Sequence, residues 1–373
     1  MKGTVHYEAR GNIALLSIDN PPVNPLSSGV RQGLFDGVSS ALADDAIEAI
    51  VLTGMHRAFI AGADISEFGA AATEGVGLGE ALDKMEGSTK PIIAAINGTA
   101  FGGGLEVALC CDYRIAAAAA PVGLPEVKLG LLPGAGGTQR LPRLVGAEAA
   151  VQAIVSGNPI MAPDALTMGI VDRVASGDII DDAIAYAHEI IADGAATRKV
   201  RDLEDKISAD RGNTALFEKF AANLDKTHRG QFAPAQILQC VEAAVNAESF
   251  DEGMAVERAR FAECMSDPQR EALIHIFFAE RAANKIPGLS KDVPLLDINK
   301  GSVIGAGTMG GGIAMCFANA GIPVRVHDND PENLARGIKV IEGNYARTVS
   351  KGRLTQEEMD KRMSLIIPTE NFD

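Results

Sequence analysis

Five cysteines in 373 residues, at 110, 111, 240, 264 and 316, are too few and wrongly spaced for a disulfide framework: the count is odd and no C-x-x-C pair occurs. A reducing compartment fits that usage. Histidine is equally sparse, with six residues scattered and none in an H-E-x-x-H arrangement, so no metal site is expected. Basic residues are in short supply, 34 Lys and Arg against 49 Asp and Glu, giving a net charge of −15. Nucleic acid and anionic membrane surfaces both need a basic face, so neither is an expected partner. Any phosphorylated ligand must then be met by local donors. No apolar run approaches the roughly 20 residues of a membrane span. The opening stretch MKGTVHYEARGNIALLSIDN passes directly into strand-like alternation, without a secretory or transit segment. Together these absences make the cytoplasm the expected location.

What remains is the composition of an ordinary globular protein, 47% hydrophobic and 22% charged, long enough for two or three domains. Up to about residue 190, strand-like runs alternate with helical segments. NIALLSID (12–19), IEAIVLTG (47–54) and KPIIAAING (90–98) are the runs, and SSGVRQGLFDGVSSALAD (27–44) is one of the helices. This is an α/β pattern. Helical periodicity then takes over, in PAQILQCVEAAVNA (234–247), FDEGMAVERARFAECM (250–265) and QREALIHIFFAERAANK (269–285). A linker rich in proline and glycine, IPGLSKDVPLLD (286–297), precedes a last strand–turn–helix–strand unit. The expected division is 1–190, a helical connector over 191–295, and 296–373.

Chemistry concentrates in two stretches of the first part. In NGTAFGGGLEVALCCDYRIA (97–116), three glycines end a strand and open a helix with Glu106 in its first turn. Glycine permits close backbone approach, and the first N–H groups of a helix are unpaired donors at the positive end of its dipole. That suits a developing oxyanion; a tight strand-to-helix turn with a favourably placed acid explains the same residues equally well. In VGLPEVKLGLLPGAGGTQRLPRLVG (122–146), Glu126 follows a proline and precedes another glycine-rich turn. Two carboxylates sharing a cavity resist joint ionisation and divide into acid and base. Glu126 as a surface residue at a loop edge is the competing reading.

AFIAGADISEF (58–68), INGTAFGGGLEVALCCDYRIA (96–116) and LPEVKLGLLPGAGGTQRLPRLVG (124–146), in this order and spacing, resemble the crotonase, or enoyl-CoA hydratase/isomerase, family. With the helical connector and VIGAGTMGGGIA that follows, the likeness extends to the multifunctional enzymes of fatty-acid β-oxidation, which join such a hydratase to an L-3-hydroxyacyl-CoA dehydrogenase. The resemblance implies a crotonase-like ββα spiral, a connector completing it, and the N-terminal part of a Rossmann domain. It implies hydration of trans-2-enoyl-CoA to 3-hydroxyacyl-CoA, with an enoyl-CoA isomerase or a non-catalytic acyl-CoA-binding subunit as alternatives. Carried onto this chain, the oxyanion donors fall on Ala61 and Gly103, and the loop bordering CoA on Ala61, Gly62, Ala63 and Asp64. The catalytic acids fall on Glu106 and Glu126, which would hold and activate water, Glu126 delivering the proton to C2. The stretch AAAAAPVGLPE (116–126) departs from relatives, which more often carry charged residues and an aromatic there. The implied partners are acyl-CoA thioesters and, beyond them, a thiolase or a second copy of the chain.

Near the end, Gly305, Gly307 and Gly310 have G-x-G-x-x-G spacing between the strand-like SVI and the helical IAMCFANAG. The second strand, IPVRVHD, ends on Asp328, about twenty residues on, where an acid would bind the ribose hydroxyls of NAD. The resemblance sets Met309 beside that cofactor. Two helices and a short strand are expected over 331–367. The resemblance also implies more sheet, a catalytic histidine with a glutamate partner, and a helical domain beyond residue 373, so the sequence reads as a piece of a longer protein. The helix over 269–285 is expected to pack on the first domain through Leu273, Ile276, Phe277 and Phe278, bringing Arg281 or Lys285 near phosphate.

Overall fold

Runs that are apolar without alternation belong in the middle of a parallel sheet, where both faces are covered. The computed structural model, which describes residues 2–64, 75–194, 197–283, 285–290, 292–294 and 296–371, puts them there. In chain order the first half comprises β1 (Thr4–Arg10), β2 (Ile13–Asp19), α1 (Ser28–Ala43), β3 (Ala49–Gly54), β4 (Ala58–Ile60) and α2 (Leu78–Glu86). Next come β5 (Ile92–Ile96), β6 (Thr99–Phe101), α3 (Gly103–Cys110), β7 (Tyr113–Ala116) and β8 (Pro121–Gly123). A 3₁₀ turn, Glu126–Leu129, leads to α4 (Gly137–Val145), α5 (Ala147–Ser156), β9 (Ile160–Met161), α6 (Ala162–Met168), β10 (Arg173–Val174) and α7 (Ile179–Ala192).

The large sheet has the order β1-β2-β3-β5-β7-β10, parallel except for the β1–β2 hairpin, and β3 and β5 are buried along their whole length. A smaller sheet runs β4-β6-β8-β9. Three successive pairs, β3/β4, β5/β6 and β7/β8, each give their first strand to the large sheet and their second to the small one. That repeat is the ββα spiral, and it stacks the ends of β4 and β6 where the glycine motifs occur. Alternate residues of the large sheet go to opposite faces: Leu16, Leu52 and Ala94 enter the main core, while Leu15, Val51 and Ile93 pack with Ala183, Ala187 and Ile190 of α7.

Four helices follow: α8 (Thr214–Thr227), α9 (Ala233–Asn246), α10 (Phe250–Ser266) and α11 (Pro268–Ala283). Ile237, Cys240, Val241 and Val245 of α9 join the main core, so these helices belong to the same compact unit, Met1–Lys285. The expectation for the last helix needs correction. Leu273 and Arg270 of α11 touch Gly130, but Ile276 and Phe278 are about half exposed and no residue of α11 is fully buried. Its apolar residues do not form one inward stripe: the Phe277 and Phe278 rings pack edge to face on each other with centroids 5.4 Å apart, and Phe278 stays about half exposed.

The second unit, Ile286–Asp373, contains β11 (Gly301–Ile304), α12 (Thr308–Asn319), β12 (Val324–His327), α13 (Pro331–Ser350), α14 (Gln356–Ser364) and β13 (Ile366–Pro368). Its strands form a parallel sheet in the order β11-β12-β13 around a separate small core that includes Val303, Ala314, Val324, Val326 and Ile341. No described helix is long and apolar enough to cross a membrane.

Candidate active site

Small side chains let two backbone turns meet at the end of the small sheet. Gly104, in the first turn of α3, is pressed onto the end of β4: a Cβ there would fall 2.1 Å from the Ile60 carbonyl oxygen. Gly102 precedes α3 with φ 55° and ψ −127°, a conformation that glycine alone adopts without strain. Gly103 is the first residue of the helix, so its N–H has no partner within the helix. Opposite it runs the loop after β4. A Cβ on Gly103 would lie 3.8 Å from the Ala63 nitrogen.

That loop corrects one expectation. The Ala61 N–H donates to the Val23 carbonyl at 3.1 Å, and the Gly62 carbonyl accepts from Leu26 at 2.9 Å, so the first half of the loop is stitched to the segment before α1. Ala61 is committed, and the N–H that faces Gly103 is that of Ala63, which makes no hydrogen bond among the described residues. Gly62, with φ 122°, makes the turn between the two, and Asp64 follows; residues 65–68 of the motif lie outside the described residues.

The two acids come to this turn from different elements. Glu106, almost fully buried in α3, accepts at Oε1 from the Ala135 N–H (2.7 Å) and the Gly137 N–H (2.8 Å). Burial raises its pKa and these two bonds oppose the rise. Glu126 opens the 3₁₀ turn, and a Cβ on Gly102 would lie 3.0 Å from its Oε1. Its Oε2 is shielded from solvent and has no partner among the described residues. Burial first, then the nearby Glu106 and Glu257, raise its pKa well above the ordinary carboxylate range. The environments differ in the sense that separates acid from base, one carboxyl being well supplied with donors and the other starved of them.

Glu257 is the member that motif reading missed. It lies on α10, is 0% exposed, and accepts from Gly136 N (2.7 Å), Thr138 N (3.1 Å) and Thr138 Oγ1 (2.5 Å). Burial and the proximity of Glu106 push its pKa up to about 8, against the opposing pull of Thr138 and Gly136. A signal was present: Phe250, Gly253, Glu257 and Cys264 are the buried positions of α10, so this acid occupies the apolar stripe of its helix. Beneath the same loop, Arg140 grips Glu86 through two bonds of 2.8 and 2.9 Å and donates to the Ala135 carbonyl at 3.0 Å.

In the second unit, Gly305 turns the chain out of β11 with φ 98°, and a Cβ on Gly310 would strike the Gly305 carbonyl oxygen at 1.7 Å. Gly307 has open space where a side chain would be, and Met309 is exposed. Asp328, just after β12, accepts from the Ala306 N–H at 2.8 Å and the Asp330 N–H at 3.2 Å, which lowers its pKa. A cavity of about 360 Å³ beside this turn is lined by Gly307, Thr308, Gly311, Asp328, Asn333 and Arg336 among others. The bare Gly307 and the ionised Asp328 fit a dinucleotide, a pyrophosphate against one and a ribose near the other.

Residues 8–237 match the family described as enoyl-CoA hydratase/isomerase, and residues 300–373 match 3-hydroxyacyl-CoA dehydrogenase, NAD binding domain. The peroxisomal bifunctional enzyme of Cavia porcellus is 40% identical over 348 residues, covering 92% of this chain and 48% of that protein. Its counterpart in Homo sapiens is 40% identical over 343 residues, covering 91% and 47%. The chain thus spans about half the length of the curated relatives it matches. Among solved structures, the carnitinyl-CoA hydratase from Mycobacterium avium is similar with a TM-score of 0.52 and 27% identity, over 75% of this chain and 97% of that one.

Proposed function

The chain belongs to the enoyl-CoA hydratase/isomerase family, and on that premise we propose that its first unit adds water to trans-2-enoyl-CoA thioesters in fatty-acid β-oxidation, giving 3-hydroxyacyl-CoA. The observation that carries the proposal is the pair of unequal buried glutamates, Glu106 and Glu126, meeting at a turn where Ala63 and Gly103 face each other. The thioester oxygen would accept from the N–H groups of Ala63 and Gly103, which stabilise the charge that grows there as water attacks C3. Gly62, Ala63 and Asp64 would border the CoA. Glu106, whose donors favour its ionised form, takes a proton from the attacking water. Glu126, held neutral, gives its proton to C2, and proton exchange between the two carboxyls restores the starting state.

The same donors would serve an isomerase, but moving a double bond needs no water, and a second carboxyl at the turn, supplied with two N–H donors, favours hydration. Loss of the conjugated enoyl-thioester absorbance is the assay. Glu126→Gln and Glu106→Gln should each lower kcat by at least about 100-fold with little change in folding, the usual worth of acid–base catalysis. Wild-type turnover in either variant would remove the assignment.

For the second unit we propose NAD binding, with Gly305, Gly307 and Gly310 against the pyrophosphate, Asp328 toward the adenosine ribose and Met309 alongside. NAD would supply a hydride acceptor for oxidation of the 3-hydroxyacyl product. A thiolase consuming the oxidised product, or a second copy of the chain, completes the proposed partners. The five free cysteines support a reducing compartment such as the cytoplasm, whereas the relatives' names describe those proteins as peroxisomal.

A further inference from the structure

We propose that Glu257 is a positioning residue for the hydration, reaching from α10 to hold the 134–138 loop so that its N–H groups aim at Glu106. The inference rests on the hydratase reading above. Four consecutive N–H groups alternate between two carboxylates: those of Ala135 and Gly137 go to Glu106, and those of Gly136 and Thr138 go to Glu257. Neighbouring N–H groups in a loop point in different directions, so fixing one alternate pair fixes the other. Glu106 keeps Oε2 without a hydrogen bond among the described residues, which is the atom the reaction needs. Its rotamer is therefore set by a loop whose far side is set by Glu257.

The rest of α10 closes the same side of that loop. A Cβ on Gly134 would fall 2.6 Å from the Phe261 ring, and one on Gly136 would lie 3.3 Å from Met254 Sδ. Gly136 has φ 95°, so it holds a conformation that most residues would relax out of. A carboxylate that only capped α4 would need the N–H groups of the helix start and nothing more. Glu257 also influences the reacting groups electrostatically. The groups facing it are Glu106 from α3, Glu126 from the 3₁₀ turn, Arg140 and Thr138 from α4, and Cys240 from α9.

The test compares wild type, Glu257→Gln, Glu257→Ala and Thr138→Val as 373-residue chains with crotonyl-CoA. Glu257→Ala should lower kcat by about 10- to 100-fold, the scale of a misplacement of about 1 Å, with KM within about twofold. Glu257→Gln, which still accepts one N–H, should recover part of that loss. With a neutral side chain at 257, the negative charge that Glu257 gains as pH rises through about 8 no longer holds the Glu126 proton, so the alkaline limb of kcat/KM against pH should move to lower pH. Thr138→Val should show a smaller kcat loss with no such shift, and it decides the matter together with Glu257→Gln if the alanine variant fails to fold. Folded variants with wild-type kcat and an unmoved pH profile would overturn the proposal and reduce Glu257 to a helix cap. Absence of hydration by the wild-type chain would instead sink the functional reading, and the positioning role with it.

Discussion

Ala61 and Ala63 flank the same glycine, and only one of them is an available donor. The sequence motif shows that a small, glycine-containing loop meets the start of α3, but the choice between the two N–H groups depends on a bond to Val23, nearly forty residues away. Local sequence carries no trace of that partner. Glu106 and Glu126 were singled out by the glycine- and proline-rich motifs that carry the family resemblance, whereas their flanks alone left a plain turn and a loop edge open. Glu257 has no such flank, and its cue was its place on a buried stripe. Its raised pKa has a consequence for stability. In the unfolded chain Glu257 ionises near its ordinary value of 4.5, whereas in the folded protein it does so at about 8. Its contribution is therefore fully present below the unfolded value, and it is lost as pH rises through the folded one. The urea midpoint of the first unit should fall between about pH 5 and pH 8, and the fall should be shallower in Glu257→Gln. A midpoint that rises over this range, or the same slope in the variant, would contradict the assignment.

Among the elements, the strands β2, β3 and β5 and the helices α1, α9 and α10 lie where the sequence places them, the strands as short, nearly unbroken apolar runs and the helices as longer segments with spaced apolar residues. The small sheet was not legible: β4, β6 and β8 have three residues each, too short for any period, and they exist because the spiral repeats. Exposure along α11 was misread because apolar content alone does not say what a residue packs on: Phe277 and Phe278 pack on each other, and Ile276 and Phe278 stay about half exposed. How α2 and α4 are locked together was also invisible, because Glu86 and Arg140 are 54 residues apart in the chain. Both are nearly fully buried, Arg140 stacks on the Phe250 ring with its centroid 5.0 Å away, and Arg201 reaches Glu86 at 3.3 Å. Removing one partner of a buried pair leaves a charge without compensation. Arg140→Met should therefore destabilise by about 3–5 kcal/mol in denaturant melts, even though it adds apolar surface to the core. The double variant Glu86→Gln, Arg140→Met should regain much of the loss. If the two single losses simply add in the double variant, the pair does not act as one.

At the scale of the whole molecule, two units have separate cores, and on the proposed reading they would serve two successive steps, addition of water and then oxidation of the alcohol formed. The first unit brings together the groups its proposed reaction uses, whereas the described residues of the second offer fewer of those that hydride transfer uses. Dinucleotides lie across a crevice made by both halves of a doubly wound sheet, and the described second unit supplies three parallel strands. Hydride transfer from a 3-hydroxyacyl thioester also needs a base at the hydroxyl. The one histidine after residue 300 is His327, at the end of β12, mostly buried, with Nδ1 donating to the Thr369 carbonyl at 2.9 Å. It neighbours Asp328, at the adenosine end of the proposed cofactor and away from the nicotinamide. Crotonyl-CoA and NAD supplied together to the 373-residue chain should thus show the enoyl absorbance falling while no NADH appears. Adding a separate 3-hydroxyacyl-CoA dehydrogenase to the same cuvette should release NADH at once, because the product will have accumulated. NADH formed before that addition would mean that a residue of the second unit other than His327 serves as the base, and that three strands suffice to hold the cofactor.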